Sequence, residues 1–136
     1  MEKYKTKFIE KVLKHELFTT LWGSGTHNVA LFIACQFALE SDFGCSRLAR
    51  ECNNISGMRS PSLRLTLDVY HASGEFAVFY SWSECISDYF LWLAWNHFNL
   101  DDFQDLNKFK RKLVSCGYCP ENDYINRINK IYLQFV

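Results

Sequence analysis

The sequence predicts an α+β fold dominated by helices, a helical bundle with a small β-hairpin lobe, and three features lead there. Residues Val29 to Leu39, VALFIACQFAL, are apolar at almost every position, and a helix apolar on all sides is one enclosed by other elements. Flanking stretches place apolar residues at helical spacing with charge between them, which is how enclosing helices read. One stretch alternates instead: Arg64, Thr66 and Asp68 are polar while Leu65, Leu67 and Val69 are apolar, the period of a strand.

In chain order, an amphipathic helix over residues 2 to 18 turns Phe8, Val12, Leu13 and Leu17 inward and its lysines outward. Gly23, Ser24 and Gly25 break it, and Thr26 or Asn28 is placed to cap the apolar helix, which ends near Glu40. A short helix is expected over 44 to 52, then a turn at Asn53 and Asn54 and a loop at Pro61. Strands at 64 to 70 and 75 to 80, joined by a turn at Ser73 and Gly74, make the hairpin. Helical patterns follow at Ser81 to Phe98, Asp101 to Ser115 and Glu121 to Phe135, separated by Asn99 and by the break from Gly117 to Pro120.

With 136 residues, 49% apolar and 17% aromatic, the chain can bury one sizeable core, and one domain is expected over residues 1 to 136. Its 15 basic and 15 acidic residues are well mixed, which argues against a nucleic-acid stripe or an anionic-membrane patch as partner. The N-terminal MEKYKTKFIEKVLKHELF has no apolar signal segment, and no run approaches the roughly 20 apolar residues that span a bilayer. Synthesis in the cytoplasm without a signal peptide is therefore expected. Six cysteines, at 35, 45, 52, 85, 116 and 119, are read as reduced thiols, with Cys35 and Cys85 in the core. Cys116 and Cys119 form a lone C-x-x-C without a second pair, and His15, His27, His71 and His97 have no partners at ligand spacing, so neither metal nor cofactor is expected.

The most informative stretch is Gln36 to Met58, QFALESDFGCSRLARECNNISGM. Gln36 and Glu40 stand four apart and share one helix stripe. A carboxyl half-buried at the end of an apolar helix loses solvation when ionised, the condition for a general acid working near neutral pH. Spacing alone also allows a plainer role, in which Glu40 caps the next turn within the cluster Ser41, Asp42 and Gly44.

Gln36, Leu39, Glu40, Ser41, Gly44, Ser46, Leu48 and Ala49, then Asn53, Asn54, Gly57 and Met58, resemble the signature of glycoside hydrolase family 73, the bacterial and phage N-acetylglucosaminidases. FYSWSECISDY at 79 to 89 and GYCPENDY at 117 to 124 resemble two further blocks of that family, in the same order. Asp42, Phe43, Ser56, Cys119 and Pro120 depart from its pattern. The resemblance implies a lysozyme-type fold, a substrate cleft between lobes and Glu40 as the catalytic acid. It also implies a second acid in the hairpin, for which Asp68 is the best positional match and Glu75 the reserve.

Tyr118 matches a tyrosine that the family places beside its catalytic groups. Its plainer role is a core ring at a helix break. Trp82 is the tryptophan best placed to stack on a sugar, though its plainer role is packing in the core, Gln36 shares the stripe of the acid, and Asn54 is placed to bind or brace beneath it. What the resemblance implies is hydrolysis of the β-1,4 bond after N-acetylglucosamine in peptidoglycan glycan strands. Because peptidoglycan lies outside the membrane and no signal segment is read, release by another route or a phage or secretion assembly is expected to bring the protein to the wall, with monomer as the default state. Two other readings stay open: a muramidase or lytic transglycosylase with the same single Glu, and a catalytically inactive glycan-binding or virion structural protein.

Overall fold

The computed structural model describes residues 2–20, 27–69, 75–119 and 122–136. Among them lie eight helices: α1 (Lys3–Leu13), α2 (Glu16–Thr20), α3 (His27–Ser41), α4 (Arg47–Cys52), α5 (Trp82–Trp95), α6 (Leu100–Gln104), α7 (Leu106–Ser115) and α8 (Tyr124–Phe135). The apolar helix is the axis of the molecule. Every residue of α3 from Val29 to Ala38 is buried, and α1, α6, α7 and α8 pack against it. Phe32 meets Phe109 of α7 and Tyr132 of α8 edge-on, with ring centroids 6.1 and 6.3 Å apart, and Phe37 meets Tyr89 of α5 at 4.9 Å. Such offset contacts add to what burial contributes.

Two expected helices divide, each because a side chain supplies a fresh cap. The stretch over 2 to 18 breaks at Lys14 and His15, where Nδ1 of His15 accepts the Leu17 N–H at 3.2 Å and opens α2. The stretch over 101 to 115 breaks at Asp105, whose carboxylate accepts the N–H groups of Asn107 and Lys108 and opens α7. Asn99 and Asp102 form a capping box at α6, and Ser46 and Ser81 cap α4 and α5. The breaks expected at Gly23 to Thr26, Ser73, Gly74 and Pro120, and the helix start at Glu121, fall outside the described residues.

The expected β-hairpin lobe is a correction. No strand forms among the described residues of 64–70 or 75–80. The β pairing present is an isolated antiparallel bridge between Arg59 and Phe76, flanked by a 2.9 Å hydrogen bond from the Ala77 N–H to the Met58 carbonyl. On the other side of residues 75–79, the Val69 N–H donates to the Val78 carbonyl at 2.8 Å. There the ladder stops, because carboxylates take the next donors: Asp68 Oδ1 accepts the Val78 N–H and Asp88 Oδ1 accepts the Leu67 N–H, both at 2.9 Å. The alternation itself is real but inverted. Leu63 and Leu65 are 83% and 86% exposed, while Arg64 and Thr66 turn inward to the buried Asp88.

Candidate active site

Glu40 occupies the last turn of α3, half-buried, one helical turn beyond the fully buried Gln36. The turn after the helix is closed by Ser41: its hydroxyl donates to the Phe37 carbonyl at 2.6 Å and accepts the Gly44 N–H at 2.9 Å. The capping chemistry weighed for Glu40 is thus carried by its neighbour. The chain then passes through Asp42, Phe43 and Gly44 at φ 50°, 54° and 82°. Gly44 is required for space as well as conformation, since a Cβ there would stand 2.4 Å from the Trp82 ring.

The loop from Asn54 to Met58 passes directly over the Glu40 carboxyl. A Cβ on Gly57 would lie 2.6 Å from Glu40 Oε2, and Gly57 sits at φ 72°, so only a glycine lets the carboxyl rest against the backbone here. Asn54, which is buried, builds that loop. Its Oδ1 accepts the N–H groups of Ser56 at 3.1 Å and Gly57 at 2.9 Å, and its Nδ2 donates to the Met58 and Ala77 carbonyls, both at 2.9 Å. Asn54 therefore braces the loop that covers the acid.

Three tyrosines complete the enclosure. Tyr124, at the start of α8, shares a side-chain hydrogen bond with Glu40 and accepts one from Gln36 Nε2 at 3.1 Å. Tyr89 of α5 donates to Gln36 Oε1 at 2.7 Å. Tyr118 donates to the Ser56 carbonyl and its ring lies nearly parallel to that of Tyr124, 14° apart with centroids at 6.0 Å. Burial pushes all three phenols up, with the Glu40 carboxylate adding to the effect at each. They stay protonated at any physiological pH and act as O–H donors.

An open groove of about 510 Å³ runs beside this pocket, lined by Gly57, Met58, Arg59, Trp92, Cys116 and Tyr118 among others. Gly57 and Tyr118 belong to both, so the groove adjoins the wall of the acid's pocket. Trp92 is the tryptophan on this groove, edge-on to Tyr118 at 4.9 Å. Trp82 keeps different company: its indole N–H donates to the Ala49 carbonyl at 3.1 Å, its ring is edge-on to Phe8 at 5.6 Å, and Lys11 lies over it at 4.4 Å.

Of the residues singled out from the sequence, Glu40, Gln36, Asn54 and Tyr118 come together, Gln36 and Asn54 through buried hydrogen bonds. Asp68 is tied to the Val78 N–H, and Glu75 is exposed beside the Arg59 and Phe76 bridge. Sequence reasoning gave no role to Gly57 and Tyr124. Both stand in the quoted motif blocks, which was the available signal. Among the described residues no three of His, Cys, Asp and Glu converge as a metal site.

Compared with models of known protein families, residues 23–135 match the glucosaminidase model, described as mannosyl-glycoprotein endo-β-N-acetylglucosaminidase. No curated protein and no solved structure matches the chain.

Proposed function

The chain belongs to the glucosaminidase family of endo-β-N-acetylglucosaminidases, which are glycoside hydrolases, and from that membership we propose that it cleaves the β-1,4 bond after N-acetylglucosamine in peptidoglycan, with Glu40 as general acid. The observation that carries this reading is the seat of the Glu40 carboxyl. It lies at the end of a buried helix, against the Gly57 backbone, hydrogen-bonded to Tyr124 and next to an open groove of about 510 Å³.

In the reaction, the Glu40 carboxyl gives its proton to the bridging oxygen as the bond to the anomeric carbon breaks. Acid assistance of this kind is worth about 10²–10⁴-fold. The anomeric carbon is then met from the other face. A two-carboxylate inverting route requires a base about 6.5–9.5 Å from the acid to activate water. Asp68 is the candidate for it, but its Oδ1 is engaged by the Val78 N–H, which favours a bracing role. We therefore assign the nucleophile to the carbonyl oxygen of the substrate's own 2-acetamido group, a route that needs one protein acid. Water then opens the cyclic intermediate, with Glu40 taking back a proton.

No helix among the described residues is long and apolar enough to cross a membrane; access to the wall by release or by a phage or secretion assembly is part of the same proposal. Mass spectrometry of peptidoglycan digested by wild type and by Glu40→Gln, after borohydride reduction of new chain ends, tests it. Reduced N-acetylglucosamine ends, absent with Glu40→Gln, are expected. Reduced muramic or anhydro ends would reassign the linkage to a muramidase or transglycosylase, and fragments independent of Glu40 would overturn its role.

A further inference from the structure

We infer that Tyr124 is the positioning residue for Glu40, held in that role by a one-way hydrogen-bond chain that starts at Tyr89 and passes through the buried amide of Gln36. The inference rests on the reading of Glu40 as the acid and adds what fixes that acid in place.

The direction of the chain follows from the contact lengths and from burial. The 2.7 Å contact between Tyr89 and Gln36 Oε1 has the length of an O–H···O bond, and the 3.1 Å contact between Gln36 Nε2 and Tyr124 that of an N–H···O bond. Gln36 has no exposed surface, so water cannot substitute for either partner. Because the Tyr124 oxygen accepts from Gln36, its own proton is directed elsewhere, and the Glu40 carboxyl with which it shares a hydrogen bond receives it. Turning the Gln36 amide over would reverse everything: the tyrosine proton would go to the Gln36 carbonyl, away from Glu40. Tyr89 prevents this by donating to Oε1 from a site walled by Phe37, Trp92 and Tyr118.

A second arm restrains the same tyrosine. The near-parallel ring of Tyr118 backs that of Tyr124, and the Tyr118 hydroxyl is bonded to the carbonyl of Ser56, the residue before Gly57. The carboxyl is thereby fixed between the glycine on one side and the phenol on the other.

A donor aimed at a carboxylate favours its ionised form. Removing the hydroxyl should therefore raise the pH at which Glu40 releases its proton and loosen the carboxyl. Among the described residues, the titratable groups around this pocket are Tyr89 from α5, Tyr118 from the turn after α7 and Tyr124 from α8, with the thiols of Cys116 and Cys85 acting on Tyr89 and Tyr118 respectively; the overlying Asn54 to Met58 carry none. The three phenols stay protonated, and because the ¹³C signal is read at the Glu40 carboxyl itself, the substitutions report its titration.

The test is a ¹³C NMR titration of the Glu40 carboxyl in the full chain, assigned with Glu40→Gln, for wild type, Tyr124→Phe and Tyr89→Phe, together with the pH profile of kcat/KM. Tyr124→Phe is expected to move the Glu40 midpoint upward by about 0.5–1 pH unit. The basic limb of kcat/KM should follow, with kcat down about tenfold and KM little changed. Tyr89→Phe keeps the Tyr124 hydroxyl and is expected to give a smaller shift in the same direction, which tests the chain even if the first variant folds poorly. A midpoint unmoved in both variants would overturn the inference. The titration does not depend on Glu40 doing the chemistry: if Glu40→Gln stayed active while the midpoint moved, the functional reading would fail and the hydrogen-bond chain would stand.

Discussion

Two carboxylates, Glu40 at the end of α3 and Asp88 on α5, organise two neighbouring regions of this molecule in opposite ways. Asp88 is wholly buried and faces a guanidinium, with Arg64 Nη2 at 2.8 Å, the Thr66 hydroxyl and the Leu67 N–H, both at 2.9 Å. Four donated hydrogen bonds and a cation hold its side chain in place. Glu40 rests on a glycine backbone and is bonded to a neutral phenol. The difference teaches what separates a structural carboxylate from one placed, in the proposed function, to exchange a proton: Asp88 is wholly buried against a cation, Glu40 half-buried against a neutral phenol.

The largest effect is expected where that contrast is broken outright. Arg64→Ala leaves Asp88 buried without its cation, at a cost of about 3–5 kcal/mol, read as a lower urea midpoint. The 64–68 segment, which Asp88 gathers, should become the first part of the chain to lose hydrogen-exchange protection. A cost below about 1 kcal/mol would mean that the pair behaves like a surface salt bridge, and the contrast with Glu40 would collapse.

Gly57→Ala sharpens the contrast from the other side. The new Cβ would collide with Glu40 Oε2 at 2.6 Å, and displacing a reacting group by about 1 Å can cost on the order of 10²-fold in turnover. Gly44→Ala is the control. Its φ of 82° and its 2.4 Å approach to the Trp82 ring also strain the fold, but at the α1 side. It should lower the melting temperature while leaving turnover per folded molecule close to wild type. Equal losses of turnover in the two variants would show that the Glu40 seat is no more demanding than any tight turn.

How much of this was legible in the sequence differs between the same two regions. The α3 helix was plain because eleven consecutive positions from Val29 to Leu39 hold one polar residue, Gln36, and no other environment suits such a run. Glu40 followed from its place at the end of that run. What Gln36 does was not legible, since a motif names residues but not the direction of a hydrogen bond, and that direction is set by Tyr89, 53 positions away. In the second region the period was read correctly and its meaning was not. Alternation at 64 to 69 ordinarily buries the apolar face; here Arg64 and Thr66 are drawn inward by Asp88, and the leucines are left outside. The splits at His15 and Asp105 escaped for a related reason, because a side chain that caps a new helix start leaves the apolar spacing unchanged.

The smallest effect is expected from Asp68→Asn, which asks whether the second region takes any part in the chemistry. Asparagine keeps the shape of the side chain and an oxygen able to accept the Val78 N–H, so the 2.9 Å link between the two arms of the segment survives. If Asp68 only braces, turnover should stay within about threefold of wild type; a general base removed at this position would cost about 10²–10⁴-fold. Asp68→Ala completes the comparison, since it leaves the Val78 N–H without that acceptor at a cost of about 1–3 kcal/mol. A stable Asp68→Asn with full activity beside a destabilised Asp68→Ala would place Asp68 with Asp88 among the structural carboxylates, leaving the reaction to Glu40 and the substrate's own acetamido group. A folded but inactive Asp68→Asn would instead put a working carboxylate on each side of the cleft.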